Sequence, residues 1–338
     1  MLNASDTESP MDSTQHVFTI LIMIITTLVG IPGNFLVLWV ISTKMKWTVM
    51  KIWFWNLALA DVTCCLAFPF FIAQFFYEEW LYGPALCKML PSVVIFTMFA
   101  SVFSLVAISV YRCILVVRPV WARNHCNLRM AWVICLTIWM LSFLMCLPAV
   151  LYRTTYTEKN LTLCGYEQGG LQNINGSDMK VETHVTFPDK TVMMTRMVFG
   201  FLIPLLIISV SYARLAFKLK KTRFVKDGNK TTKVVFGIAV AFFVSWAPYH
   251  IMGIILLYFD NFAVTSLDLF SQALAETNSC INPVLYVLLG KDMKSKVRKS
   301  FHELIENLFN EEVSKTTEHS RSKVTTEESL QLEGLTTC

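Results

Sequence analysis

Residues 87–118 read CKMLPSVVIFTMFASVFSLVAISVYRCILVVR, and the fold turns on this stretch. From Met89 to Val110 its only polar side chains are small hydroxyls. A hydrocarbon core about 30 Å thick takes roughly 20 apolar residues in helix, so the stretch can cross a bilayer and project at both ends. It opens on Cys87 and closes on Tyr111-Arg112-Cys113 and Arg118. A cysteine at one mouth and an arginine at the other suit a helix tethered on one side and read on the other.

The whole chain has the same character. Its 338 residues are 54% hydrophobic and 16% charged, against about 25% charged in a soluble domain. That places it in the membrane class, with a lipid bilayer and no nucleic acid as partner. Residues 1–16 are polar, carry Asp6, Glu8 and Asp12, and have no Lys or Arg. A cleavable signal peptide would begin on basic residues, so the apolar run that follows is expected to stay as an anchor.

The predicted fold is an all-α membrane protein, a bundle of seven spans within 17–288, at about 17–41, 50–75, 85–117, 130–151, 192–219, 231–259 and 265–288. Prolines inside spans are tolerated where neighbouring helices satisfy the freed backbone groups. Basic residues gather in alternate connections: Lys44, Lys46 and Lys51; Arg118, Arg123 and Arg129; Lys218 to Lys233; and Lys291 to Lys299. By the positive-inside rule that side is cytoplasmic. The N-terminus, 1–16, is then outside and the C-terminus inside, as in a multi-pass plasma-membrane protein. The glycan acceptors Asn3, Asn160 and Asn175 fall on the outer side, each two residues before Ser or Thr.

Of the ten cysteines, most lie inside apolar runs and read as small buried hydrophobes. Cys87 and Cys164 sit instead in polar outer segments, and a bridge between them would pin the loop 152–191 over the bundle mouth. After the seventh span, 290–309 carries Met293, Val297, Phe301, Leu304 and Leu308 at helical spacing with lysines opposite, a short amphipathic eighth helix for the inner leaflet. The tail 310–338 is polar and predicted disordered, with Thr316, Thr317, Ser320, Ser322, Thr325, Thr326 and Ser329 as phosphate acceptors.

Polar groups inside spans are the functional candidates. A carboxylate at mid-span, as at Asp61, costs roughly 2.5–3.5 kcal/mol on insertion scales. Ser101, Asn278, Ser279 and Asn282 can supply oxygens at similar depth, giving a small pocket for allosteric Na⁺ or a protonated, hydrogen-bonded Asp. Trp246 precedes Pro248 in span six, and Pro283 precedes Tyr286 in span seven. Proline kinks beside large rings are ingredients of a two-state switch.

These residues together resemble the rhodopsin-like G-protein-coupled receptors along nearly the whole chain. The matching motifs are Gly33-Asn34, Leu57-Ala58 with Asp61, the Cys87 and Cys164 pair, Arg112, Trp139, Pro204 with Tyr212, Trp246 with Pro248, and Asn282-Pro283 with Tyr286. Arg118-Pro119-Val120-Trp121 and Asn124-His125 are similar to the chemoattractant branch of formyl-peptide and anaphylatoxin receptors. Lys88 to Ser92, Met98 to Phe103, Cys164-Gly165-Tyr166 and Leu289 to Asp292 look most like the receptors for the small fragment of complement component three. Segment 152–191 is far shorter than their corresponding loop.

The resemblance implies a receptor for a complement anaphylatoxin peptide or a small basic protein, signalling chemotaxis and inflammation through a heterotrimeric G protein of the inhibitory class. It implies arrestin and receptor kinases as further partners. It also implies that Arg196 and Arg153 hold the carboxylate of a peptide's C-terminal arginine and that Asp268 holds its guanidinium. Bidentate arginine–carboxylate pairing supports that division from the chemistry alone. Tyr111, Arg112, Tyr212, Trp246, Pro248, Pro283 and Tyr286 are the implied activation switch. Two departures stand out: Tyr111 replaces the acid that usually holds the neighbouring arginine, and Ser245 replaces a cysteine.

Two other readings keep the fold: a scavenger that binds the same ligands without signalling, and a receptor for another chemotactic peptide such as a formyl peptide. An enzyme is not expected. His250, the clearest histidine inside a span, has no HExxH context, no metal-ligand spacing occurs, and no cofactor is implied besides Na⁺. A transporter would show internal repeats, and the sequence shows none.

Overall fold

The computed structural model describes residues 10–158, 160–166, 187–221, 228–256 and 262–289, with the single residue 295. Side chains are described for 17–157, 160–166, 190–218, 235–256, 264, 267–283 and 295. The predicted eighth helix, the tail with its phosphate acceptors, and the acceptors Asn3 and Asn175 lie outside these residues.

Among the described residues, eleven α-helices and one hairpin follow one another: α1 (Pro10–Lys44), α2 (Val49–Cys65), α3 (Phe68–Gln74), α4 (Gly83–Val117), α5 (Pro119–His125), α6 (Leu128–Tyr152), β1 (Arg153–Glu158), β2 (Leu161–Tyr166), α7 (Phe187–Met197), α8 (Ile203–Lys221), α9 (Gly228–Leu256), α10 (Phe262–Glu276) and α11 (Asn278–Leu289). Among the described residues, six passages are long and apolar enough to cross a membrane: Val17–Lys44, Val49–Gln74, Gly83–Val117, Leu128–Tyr152, Lys190–Lys218 and Val235–Leu256. Helices α10 and α11 together cover the stretch expected as the seventh span, 265–288.

The helices start and break for local reasons. Thr48 caps α2 by accepting from Lys51 N, and Asn127 caps α6 by accepting from Met130 N at 2.9 Å. The passage predicted as a continuous 50–75 breaks between α2 and α3, because Pro69 has no N–H to continue the ladder onto the Cys65 carbonyl. The first helix begins at Pro10, seven residues before the span expected from 17. Between α7 and α8 the chain winds as a π turn over Val198–Leu202. Pro204 likewise leaves the Gly200 carbonyl without its usual donor.

The span expected to run unbroken over 265–288 is interrupted at Thr277. The Thr277 hydroxyl donates to the Leu274 carbonyl at 2.6 Å, and the N–H groups of Cys280 and Ile281 both turn back to the Thr277 carbonyl. Farther along, Pro283 cannot donate to the Ser279 carbonyl, and Asn34 of α1 does so instead, at 2.8 Å.

Helix α4 is the hub, packing against α2, α6, α8 and β1. Polar bonds lock it in place: Asn56 Nδ2 donates to Ser104 Oγ at 2.7 Å, and Trp139 Nε1 donates to Asn56 Oδ1 at 2.7 Å. Gly200 lets the π turn press onto α4, since a Cβ there would stand 2.8 Å from Met98 Cε and 3.3 Å from Phe99 Cε1. The outer surface is apolar, with Leu136, Leu206 and Val244 about two-thirds exposed. Asn34, Asn56, Asp61, Ser104 and Asn282 are buried. Apolar groups outside and polar groups inside suit a bilayer as solvent.

The polar segment after α6 forms a two-stranded antiparallel hairpin, with Arg153 opposite Tyr166 and Thr155 opposite Cys164. Asn160 takes the turn at φ 67°, a left-handed conformation that asparagine tolerates, and its side chain is exposed. Cys164 is bridged to Cys87 in the first turn of α4, their Cα atoms 5.6 Å apart. Trp80 N–H donates to the Thr162 carbonyl at 2.7 Å. Loop and hairpin are thus fixed together over one end of the bundle.

Candidate functional site

Under the hairpin lies a cavity of about 550 Å³. Its walls come from α1, α3, α4, both strands, α7, α9 and α10. Two arginines enter it. Arg153 is the residue at which α6 hands over to β1, and the hairpin register sets Tyr166 directly opposite. Its guanidinium lies over the Tyr166 ring, 5.4 Å from the centroid. Arg196, near the end of α7, lies over the Tyr249 ring at 4.9 Å, and its Nη1 donates to the Tyr249 hydroxyl. Each guanidinium lies over an aromatic face, and its fork of donors suits an anion.

Asp268 is placed differently. It does not line the cavity. Its Oδ2 accepts from Gln272 Nε2 at 2.7 Å, and the carboxylate stands in the field of Arg196. Gln272, one turn farther along α10, does reach the wall, and so does Glu276, one turn beyond it.

Below, a narrow extension of about 40 Å³ shares Arg196, Tyr249, Gln272 and Glu276 with the main cavity and reaches Met98 and Trp246. The Trp246 ring stacks on Phe242 at 5.8 Å and meets Tyr249 edge-on at 5.7 Å. Whatever fills the extension therefore touches the aromatic column of α9. Pro248 lies within the same helix.

The expected Asp61 pocket forms in part. Asn282 Nδ2 donates to Asp61 Oδ2 at 2.7 Å, and the Ser101 and Ser279 hydroxyls lie near the same carboxyl. Asn278 makes no such bond among the described residues; its Oδ1 and that of Asn282 are buried without partners. Carboxylate, hydroxyl and amide oxygens suit a hard cation.

At the opposite end, Arg112 has no acidic partner among the described residues, and its Nε is buried without a hydrogen bond. Tyr111 and Tyr212 are its phenolic neighbours. Tyr212 faces Ser109, yet both hydroxyls remain without a bond of ordinary geometry. The Tyr212 ring packs edge-on against Phe236 of α9 at 5.0 Å. Tyr286 lies in α11, with its side chain outside the described residues.

Glu276, Tyr249 and Tyr166 carried no expectation from the sequence. The signal for Glu276 is there, however: Asp268, Gln272 and Glu276 recur at i, i+4 and i+8 in the seventh span, and an acid within a span is a functional candidate by default. Nothing comparable marks Tyr249, whose place against Arg196 follows from packing between α7 and α9.

Comparison with known proteins gives concordant results. Residues 33–286 match the family described as 7 transmembrane receptor (rhodopsin family). A C3a anaphylatoxin chemotactic receptor from Oncorhynchus mykiss is 40% identical over 88% of this chain and 80% of its own length. The Homo sapiens C3a anaphylatoxin chemotactic receptor is 30% identical over 96% and 97%. The C5a anaphylatoxin chemotactic receptor 1 of Oryctolagus cuniculus is 36% identical over 96% and 93%.

Proposed function

The chain belongs to the rhodopsin family of seven-transmembrane receptors and is of the C3a-receptor type, and from that premise we propose that it recognises an anaphylatoxin-type peptide by its C-terminal arginine. The observation that carries the reading is the convergence of Arg153 and Arg196 on one cavity under the bridged hairpin. Two guanidiniums are well suited to a terminal carboxylate. Asp268 supplies negative charge beside them. Residues Asp6, Glu8, Asp12, Glu78 and Glu79 would draw a basic ligand toward the hairpin end.

In this reading the hairpin end faces outward at the plasma membrane and the C-terminal tail lies in the cytoplasm. Ligand seated in the extension presses on Trp246, and the hydrogen bond that Pro248 cannot make lets the far half of α9 swing away from the Tyr212–Phe236 contact. Arg112, Tyr212 and Tyr286 then repack around a heterotrimeric G protein of the inhibitory class. The ligand drives this only by its greater affinity for the open arrangement. Asp61, Ser101, Asn278 and Asn282 would hold Na⁺ in the closed one, and Asp61→Asn should abolish any effect of Na⁺ on ligand affinity. Phosphorylation of the tail by receptor kinases, followed by arrestin binding, would end the signal.

The test is G-protein activation in cells expressing the receptor, with a basic peptide ending in arginine and the same peptide lacking that residue. The response should require the arginine and vanish in Arg196→Ala. Tyr111 favours a second reading, a receptor that captures the ligand without coupling; it would show as surface binding with no activation.

A further inference from the structure

We propose that Trp47, Trp55 and Trp132, with Lys46, Lys51 and Arg129 beside them, form a binding site for one anionic phospholipid at the end of the bundle away from the hairpin. The site is remote from the cavity and independent of the ligand taken there.

Three segments bring the rings together. Trp47 belongs to the connection between α1 and α2, Trp55 to α2, and Trp132 to the second turn of α6. Their ring centroids stand 6.3 Å apart for Trp47 and Trp55, 5.7 Å for Trp47 and Trp132, and 5.8 Å for Trp55 and Trp132. The connection is fixed, because Thr48 caps α2 and Lys51 Nζ donates to the Lys46 carbonyl at 2.7 Å. Trp55 Nε1 donates to Ser42 Oγ at 3.1 Å. The Trp47 and Trp132 indoles have no acceptor among the described residues, and both residues are exposed. Single tryptophans are ordinary at a membrane interface. A closed triangle with two unspent N–H donors is a preformed surface.

Each ring is accompanied by a base. Lys51 precedes Trp55 by four residues on α2, and Arg129 precedes Trp132 by three on α6, so each base shares the face of its indole. Both helices start at this end of the bundle, which sets the bases about one turn, roughly 5 Å, outside the rings. Lys46 adjoins Trp47. On the inner side, Leu136 and Met140 continue the line of Trp132 along α6 at successive turns and are exposed. The order is therefore cations, then N–H donors, then an apolar lane. A phospholipid has the same order: phosphate, glycerol esters, acyl chain. No Asp or Glu occurs in 42–60 or 118–140, so the local field selects a net negative headgroup. In the orientation proposed above, this end faces the cytoplasmic leaflet, which holds the anionic lipids. A sterol would leave the cations unmet, and a second copy of this chain would bring like charges together.

The experiment places the full-length receptor in phosphatidylcholine nanodiscs with a trace of phosphatidylserine that carries a photoreactive group on its acyl chain. Cross-linked peptides are mapped by mass spectrometry. Residues 129–140 should be labelled, and phosphatidylcholine with the same group should label them far less. Unlabelled phosphatidylserine should displace the probe, and glycerophosphoserine, the headgroup without chains, should not. Lys46→Gln with Arg129→Gln should weaken the affinity read by displacement roughly thirtyfold, about fivefold for each base. Lys46→Arg with Arg129→Lys should keep it. Trp132→Leu should weaken it roughly fivefold, the scale of one hydrogen bond. Labelling of the other base-rich connections should stay the same in every variant, which shows that each is folded. Equal labelling by phosphatidylcholine overturns the site and leaves an ordinary lipid belt. Undiminished affinity in the Gln double variant or in Trp132→Leu overturns it too. So does displacement by glycerophosphoserine, which would mean a soluble phosphate ligand, or displacement by a sterol and not by phosphatidylserine. A Trp132→Leu receptor altered only in its monomer–dimer ratio assigns the triangle to a second copy and also overturns the site.

Discussion

Asn34 donates its side-chain amide to the carbonyl of Ser279, 2.8 Å away, and the same nitrogen reaches the Gly30 carbonyl at 2.9 Å. The Ser279 oxygen is the one that Pro283 leaves without a helical donor. A side chain of α1 thus completes the hydrogen bonding of α11. Replacing Asn34 by Leu should lower stability by about 1–3 kcal/mol, the cost of a buried acceptor left unmet, seen as a lower Tm of the detergent-solubilised protein. Pro283→Ala restores an N–H four residues after Ser279. In that background Asn34→Leu should cost clearly less. Equal losses in both backgrounds would mean that the Asn34 bond does not substitute for the missing one.

Gly200 sits in the π turn against α4, where an added Cβ meets Met98 Cε at 2.8 Å. The obstacle is the end of a flexible side chain, so Gly200→Ala should reduce stability only modestly, by about 1 kcal/mol, and Gly200→Leu by more. Met98→Ala should recover most of the loss caused by Gly200→Ala. Thermal melts of the single and double variants measure this directly, and additive losses would contradict the contact.

The passages themselves were legible because runs such as Met89–Val110 leave no other fold open, and the bridge between Cys87 and Cys164 was legible because both sit in polar segments. The hairpin was not. Its strands RTTYTE and LTLCGY are short and mostly polar, and they are held by the bridge and by Trp80 as much as by their own pattern. The break at Thr277 was hidden for a related reason: it depends on a hydroxyl turning back to the Leu274 carbonyl. At the site, Arg153 and Arg196 could be named from chemistry and resemblance. That Asp268 is tied up by Gln272 depends on rotamers, which the order of residues does not encode.

Tyr249 holds Arg196 in two ways, by its ring face and by its hydroxyl. Tyr249→Phe removes only the hydroxyl bond. Binding of an arginine-terminated peptide should weaken by roughly fivefold, about 1 kcal/mol, whereas Tyr249→Ala should weaken it further by freeing the guanidinium from the ring. A Phe variant as poor as the Ala variant would assign the whole effect to the hydroxyl, and one indistinguishable from wild type would assign it to the ring.

Tyr111 stands where the resemblance described above leads one to expect an acid restraining the next arginine, and Arg112 has no carboxylate partner among the described residues. A phenol can donate a hydrogen bond or stack, but it cannot balance a buried guanidinium as a carboxylate does. The closed state is therefore the one that Tyr111→Asp should favour. Nucleotide exchange on a G protein without ligand should fall, and the closed protein should melt higher by an amount equivalent to about 1 kcal/mol, with ligand affinity at the distant cavity reduced in proportion. Tyr111→Phe, which keeps the ring and adds no charge, should leave basal exchange where it is. Unchanged exchange in both variants would mean that Arg112 is restrained by its surroundings rather than by residue 111. Exchange that rises from nothing in Tyr111→Asp would point instead to a native chain that binds without coupling.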